Sequence, residues 1–265
     1  MEVGGLLLRA LAHVGRPMPL KDLAREAGMS PPKAHPYLVS FCKLGLIEQD
    51  ATSGHYGLGP LALQLGLISL QQHDPVRVAT PLMTQLCRDT GHTVAIALWG
   101  THGPTIVRTE EAITPVHVNM RHGTVMSIVD TASGQLLAAY KPPEQVKALF
   151  DGELARERAN PWRDAPMALG STVKLPPLPE WEAFQQQLAR VRTQGVSIAI
   201  DRLVPGICAM SVPVFDYSGS VVLALTVIGP SGIFDTRADG VLAQVLKACA
   251  RQISQRLGAL AARCA

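Results

Sequence analysis

LKDLAREAGMSPPKAHPYLVSFCKLGLIEQDATSGHYGLG, residues Leu20–Gly59, is the stretch on which the reading of this chain turns. Leu20, Leu23, Ala24 and Ala27 recur at helical spacing and give a short helix one apolar face. Gly28 ends it, and Met29-Ser30 makes the turn. Ser30 is a good N-cap for a second helix, and Pro31 falls where a missing N–H does no harm. Ala34, Tyr37, Leu38 and Phe41 mark that helix's buried stripe, and Gly45 closes it. Lys33 and His35 point away from the stripe, into solvent or a DNA groove.

Leu46–Gln49 and His55–Leu58 then read as short strands about a tip, Ala51-Thr52-Ser53-Gly54. Helix, turn, helix and hairpin make a winged helix-turn-helix, whose second helix enters a major groove while the wing meets the backbone. A helical pair that only packs is the alternative, and the hairpin weighs against it.

Gly15-Arg16-Pro17, Leu23-Ala24, Gly28-Met29-Ser30, Lys33-Ala34-His35, Leu44-Gly45-Leu46 and Tyr56-Gly57-Leu58-Gly59 together resemble the N-terminal domain of the IclR family of bacterial transcriptional regulators. The resemblance implies that Ser30, Lys33, His35 and Tyr37, with the wing residues Gly54, His55 and Tyr56, position the domain on DNA phosphates. Lys33 is the candidate for a base edge. One residue departs from the family pattern: Pro36 stands where Arg is usual. As the sixth helical residue it removes a hydrogen bond and crowds the carbonyl of residue 32, at about 3 kcal/mol. The expectation is a kinked recognition helix with weakened or altered DNA binding.

Composition bounds the rest. The 265 residues suit two domains, and a 47% hydrophobic share supplies ample core. A net charge of +3 permits nucleic-acid binding without predicting it. Within residues 1–60, Arg9, Arg16, Lys21, Arg25, Lys33 and Lys43 nearly cancel against Glu2, Asp22, Glu26, Glu48 and Asp50, so pattern carries the DNA reading. Five cysteines without paired spacing read as reduced thiols. No basic-then-apolar leader and no run of 18 apolar residues appears, so a cytoplasmic protein with no membrane partner is expected.

Val3–Val14 is expected as a first helix under the motif. Pro60–His73 is apolar on most of its circumference, which calls for a cover; it is an ordinary core helix or, as the resemblance implies, a linker helix that pairs subunits. The expected organisation is a DNA-binding domain at 1–60, a linker at 61–74 and a ligand domain at 75–265. In the last, helices are expected at Pro75–Asp89, Thr131–Ala139, Pro143–Phe150 and Glu180–Thr193. Strands are expected at Thr93–Trp99, Thr105–Glu110, His117–Met120, Met126–Val129, Gly195–Ile200, Ile207–Phe215 and Ser220–Ile228. Thr236-x-x-Asp239 resembles a capping box for a last helix with Val241, Leu242, Val245, Leu246 and Ile253 on its apolar face. Asp151–Pro179 shows no clear period. The class is α+β, an antiparallel sheet flanked by helices.

His122-Gly123, Thr131-Ala132-Ser133-Gly134 and Val212–Asp216 through Gly229-Pro230 resemble the family's GAF-like effector domain. That resemblance implies effector contacts from Thr101, His102 and Gly103, from Met126 and Ile128, from Asp201, and from Ala209 and Thr226. Arg202 follows Asp201, and the two either form a salt bridge or leave the Arg to clamp a ligand carboxylate. No spacing brings Cys208 to His92, His102, His117 or His122 as a thiol–imidazole pair, and no metal-ligand spacing or cofactor motif appears. The reading is a ligand-responsive regulator, a homodimer or tetramer, that binds a double-stranded DNA operator and senses a small organic or aromatic acid. Two rivals stay open: a ligand-binding oligomerisation protein whose DNA binding Pro36 has weakened, and an enzyme.

Overall fold

The computed structural model describes residues 2–72, 74–112, 121–159 and 177–259. The chain divides into two compact units, Met1–His73 and Asp74–Ala265.

In the first unit α1 (Glu2–Val14), α2 (Leu20–Glu26) and α3 (Pro31–Lys43) enclose a core of Leu7, Leu11, Leu23, Ala24, Ala34 and Leu38. β1 (Ile47–Gln49) and β2 (Tyr56–Leu58) pair antiparallel as the wing. Gly28 and Gly45, at φ of 66° and 73°, supply the left-handed residues that end α2 and α3. α4 (Pro60–Gln72) follows at once, and Leu63, Leu65, Leu67 and Ile68 on it are exposed.

In the second unit α5 (Pro75–Thr90) is capped by Asp74, whose carboxylate accepts from the Val76 N–H, and ends at left-handed Gly91. β3 (Thr93–Gly100), β4 (Gly103–Glu110), α6 (Ala132–Ala139), α7 (Pro143–Ala159), α8 (Trp181–Gln194), β5 (Ser197–Ile200), β6 (Ile207–Phe215), β7 (Val221–Pro230) and α9 (Val241–Arg256) follow. The strands form one antiparallel sheet in the order β4-β3-β7-β6-β5.

Period-two alternation gives the sheet two unlike faces. Val94, Ile96, Met210, Val212, Val214, Leu223, Leu225 and Val227 pack in one core with α5 and α9. The opposite face carries Ala95, Ala97, Ala209 and Ala224, packed with α6, α7 and α8. Small side chains let α6 come close and leave room beside it, so the sequence makes the second face the one with space for a ligand.

Several expectations need correction. Met126–Val129 is not a strand: Ser127 Oγ accepts from the Val129 and Asp130 N–H groups, curling the segment into a turn. His117–Met120 lies outside the described residues. α7 continues past Phe150 to Ala159, because Leu154 still packs on the core and Glu153 bonds to the 127–128 backbone and hydroxyl. The capping box at Thr236 does not form; Asp235 is held by Arg237, and Gly240 is the N-cap of α9 without a side-chain bond. Val241 and Val245 lie outside the core, at 69% and 39% exposure.

Candidate nucleic-acid interface and ligand pocket

At the start of α3, Ser30 has the extended N-cap backbone, but its hydroxyl makes no capping bond. The second helical residue, Pro32, has no N–H, and the Lys33 and Ala34 N–H groups both donate to the Ser30 carbonyl at 3.0 Å. That hydroxyl is therefore left facing outward. α3 runs unbroken through Pro36, which is exposed on its outer side. Lys33 and His35 are exposed too. Tyr37 is half-buried, its ring 3.0 Å from where a Cβ on Gly4 of α1 would stand, so only its outer edge is available.

The wing tip is folded by Asp50, whose carboxylate accepts from the Thr52 and Ser53 N–H groups and the Ser53 hydroxyl. Those Ser53 bonds hold the Asp50 carboxyl below its ordinary range. Gly54 takes the left-handed conformation at φ 69°, and His55 is half-exposed beside it. Tyr56 departs from the expectation. It is 6% exposed, its ring belongs to the core, and its backbone pairs with Met18. The alternation along a wing strand sends every second side chain inward, and Tyr56 is one of those.

In the second unit a cavity of about 60 Å³ opens on the small-residue face of the sheet. Of the residues expected to contact an effector, Met126, Ala209 and Thr226 line it. The other expected contacts lie elsewhere. Thr101 and His102 form the exposed β3–β4 turn, and Gly103 is buried against Leu149. Ile128 is in the core, 1% exposed. Asp201 sits at φ 52° and accepts from the Gly206 N–H, so it shapes the 201–206 loop without lining the cavity.

That loop contributes Arg202, Leu203 and Val204 to the wall, and the start of α6 adds Ser133. Arg202 donates to Asp130 at 2.9 Å, and its Nε is buried without a partner. Thr226 donates to Ser211 across the strand pair, at 2.9 Å. Mostly apolar walls, the Arg202–Asp130 pair and the hydroxyls of Thr131, Ser133 and Thr226 suit a small ligand with a charged end and a polar substituent. A sequence signal for most of this was present: alanines, serine and threonine at alternate positions of β5, β6 and β7. Nothing in one dimension told that Arg202 rather than Asp201 would face inward.

The segment beneath the cavity is fixed by Glu153, which accepts from the Ser127 hydroxyl and the Ile128 N–H, each at 2.7 Å. Burial raises its carboxyl above the ordinary value of 4.5. Cys249 is pushed up to about 11 and Cys208 is raised, both by burial first, so neither is a ready nucleophile.

A larger cleft of about 170 Å³ lies between α8, α9 and β6. Besides Arg251, which also lines it, its cations are already used: Arg192 donates to the Ala139 carbonyl at the end of α6, and Lys247 to the Gln194 carbonyl at the end of α8. Capping helix ends explains them without a ligand.

A winged helix-turn-helix followed by an α+β unit with a small, mostly apolar cavity is the architecture of a sensor-type transcription regulator. Residues 2–51 match the IclR helix-turn-helix domain, and residues 68–161 and 175–255 match the bacterial transcriptional regulator IclR C-terminal domain. The chain belongs to the IclR family of bacterial transcriptional regulators, which are not enzymes. It is similar to the solved structure of Pseudomonas aeruginosa HmgR, with 33% identity, a TM-score of 0.84 and 98% of each chain covered. It is 27% identical to the glycerol operon regulatory protein of Streptomyces coelicolor, over 98% of this chain and 96% of that one. The HTH-type transcriptional regulator KdgR of Escherichia coli K12 is 25% identical, over 95% and 90%. Among the described residues no helix is long and apolar enough to cross a membrane.

Proposed function

We propose that this regulator senses a small organic or aromatic acid in the β6–β7 cavity and transmits its presence to an operator in duplex DNA. The observation that carries the ligand class is Arg202, anchored by Asp130 in the wall of a mostly apolar cavity, with a buried Nε that has no partner. A carboxylate there gains a charge-assisted bond. Ser133 takes a ligand hydroxyl or carbonyl, the Thr226 oxygen accepts from a ligand hydroxyl, and the 201–206 loop yields to admit the ligand.

On the DNA side, Ser30, Lys33 and His35 face outward at the start of α3, and Gly54 and His55 form the wing tip. Tyr37 adds its outer edge; Tyr56 is left out because it is core. α4, apolar on most of its circumference, pairs with α4 of a second copy, making a homodimer with two recognition helices. Residues 1–60, 61–74 and 75–265 serve as reader, linker and sensor. The acid acts by binding one arrangement of the dimer better than another. Operator and acid both belong to the cytoplasm, where the protein works.

The test is a thermal-shift screen of mono- and dicarboxylic acids, aliphatic and aromatic, with uncharged amide analogues as controls. Gel shifts on DNA upstream of the chain's own gene, with and without the best acid and at two salt concentrations, complete it. Acids that stabilise and change the shift, with inert amides, are expected. Equal stabilisation by the amides overturns the acid reading, and a duplex never retained overturns the DNA reading.

A further inference from the structure

At about 100° per residue, Pro32, Pro36, Val39 and Lys43 of α3 fall along one line opposite the buried Ala34 and Leu38. Pro32 and Pro36 are exposed, and Val39 is 40% exposed. Lys33 and His35 lie to either side of this line. The outermost strip of the helix is thus apolar for two turns, with cations on its flank and at its end. A solvent-facing helix surface normally carries charged or polar groups there.

We infer that Pro32, Pro36 and Val39 read thymine methyl groups in the major groove. This rests on the reading that α3 enters that groove. In B-DNA the thymine C5-methyl is the one apolar group a base pair presents in the major groove, and it identifies both the pair and its orientation. A proline ring and a valine offer no hydrogen bond to any base edge; what they offer is methyl contact and exclusion of water. Pro36 therefore has a role that the loss of its N–H hides: its ring fills the centre of the strip, and the helix continues past it. Pro31 and Pro32 strip two N–H groups from the helix start, which reduces its use as a phosphate anchor and leaves anchoring to Ser30, Lys33 and the wing. Specificity is then for the position of thymines, and affinity comes from the flanking cations.

The experiment uses the full chain and a duplex selected by it from a random library. Each thymine in the protected region is replaced singly by deoxyuridine, which removes only the methyl. The expected result is a cluster of two or three sensitive thymines per half-site, each losing about fourfold in affinity, the transfer value of one buried methyl. Val39→Ala and Pro36→Ala are expected to bind the unmodified duplex more weakly and to lose sensitivity at one thymine each, with an unchanged slope of log affinity against log salt. Pro36→Ala should at the same time melt higher, because alanine suits a helix interior. Lys33→Ala is the contrast: thymine sensitivity persists while the salt slope falls by about one. Tight binding with no thymine sensitive to deoxyuridine overturns the methyl reading alone. Loss of protection at guanine N7, with binding retained, overturns the placement of α3 in the groove, and the methyl reading falls with it. A library from which no duplex is recovered overturns the proposed DNA function itself.

Discussion

Arg202 and Glu153 show how much of the second unit rests on single side chains. Arg202 is tied to Asp130, which is itself held by the turn at Ser127. Arg202→Met is expected to lower stability, because it leaves Asp130 partly buried and unpaired. It should also abolish the melting shift given by carboxylic acids. The double substitution Arg202→Met with Asp130→Asn should recover the stability and not the acid response, which separates recognition from folding. Recovery of both would show that Arg202 has only a structural part.

Glu153 bears on pH. Burial raises its folded-state value above 4.5, so over that interval the folded chain keeps a proton that the unfolded chain has released. Stability must therefore fall as pH rises through the window. Melting curves taken from about pH 4 to 7 are expected to show this slope in the native sequence and a flatter one in Glu153→Gln. An identical slope in both would place the pH dependence elsewhere.

At the scale of elements, α6 depends on its own glycine. A Cβ on Gly134 would overlap the Ser127 carbonyl oxygen and crowd the Thr131 hydroxyl, which caps α6 by accepting from the Gly134 N–H. Gly134→Ala must push the 126–131 turn away from α6, at a cost of about 1–3 kcal/mol. That turn carries Met126, Asp130 and Thr131 of the cavity wall. The expected outcome is a melting point lower by several degrees and a weaker acid-induced shift, with operator binding in the absence of acid retained. The same scale explains why some expected elements failed. Met126–Val129 has strand-like residues, yet a serine hydroxyl that accepts two N–H groups wins the competition locally.

For the whole molecule, the exposed leucines of α4 carry the quaternary reading. Leu63 is 66% exposed and Leu67 is 53% exposed, and the two lie one turn apart. Leu63→Glu with Leu67→Glu is expected to shift the protein from dimer to monomer in sedimentation. The monomer should lose operator affinity by about two orders of magnitude or more, since two linked readers exceed either alone by at least that factor. Acid binding measured by thermal shift should persist. A dimer that survives the substitutions would move the subunit contact to another face.

The helix-turn-helix and its wing were readable from residues 20–59 because their cues are local: a 3.6-residue apolar period, left-handed glycines at helix ends, and a hairpin tip. The antiparallel sheet was readable for the same kind of reason, from alternation and turn residues. What one dimension did not determine was which of two neighbouring side chains turns inward. Asp201 folds its loop while Arg202 lines the cavity, and Tyr56 faces the core, its backbone paired with Met18, while His55 stays half-exposed. Those choices depend on contacts between segments far apart in the chain, such as Arg202 with Asp130 and Glu153 with Ser127, and only the tertiary structure decides them.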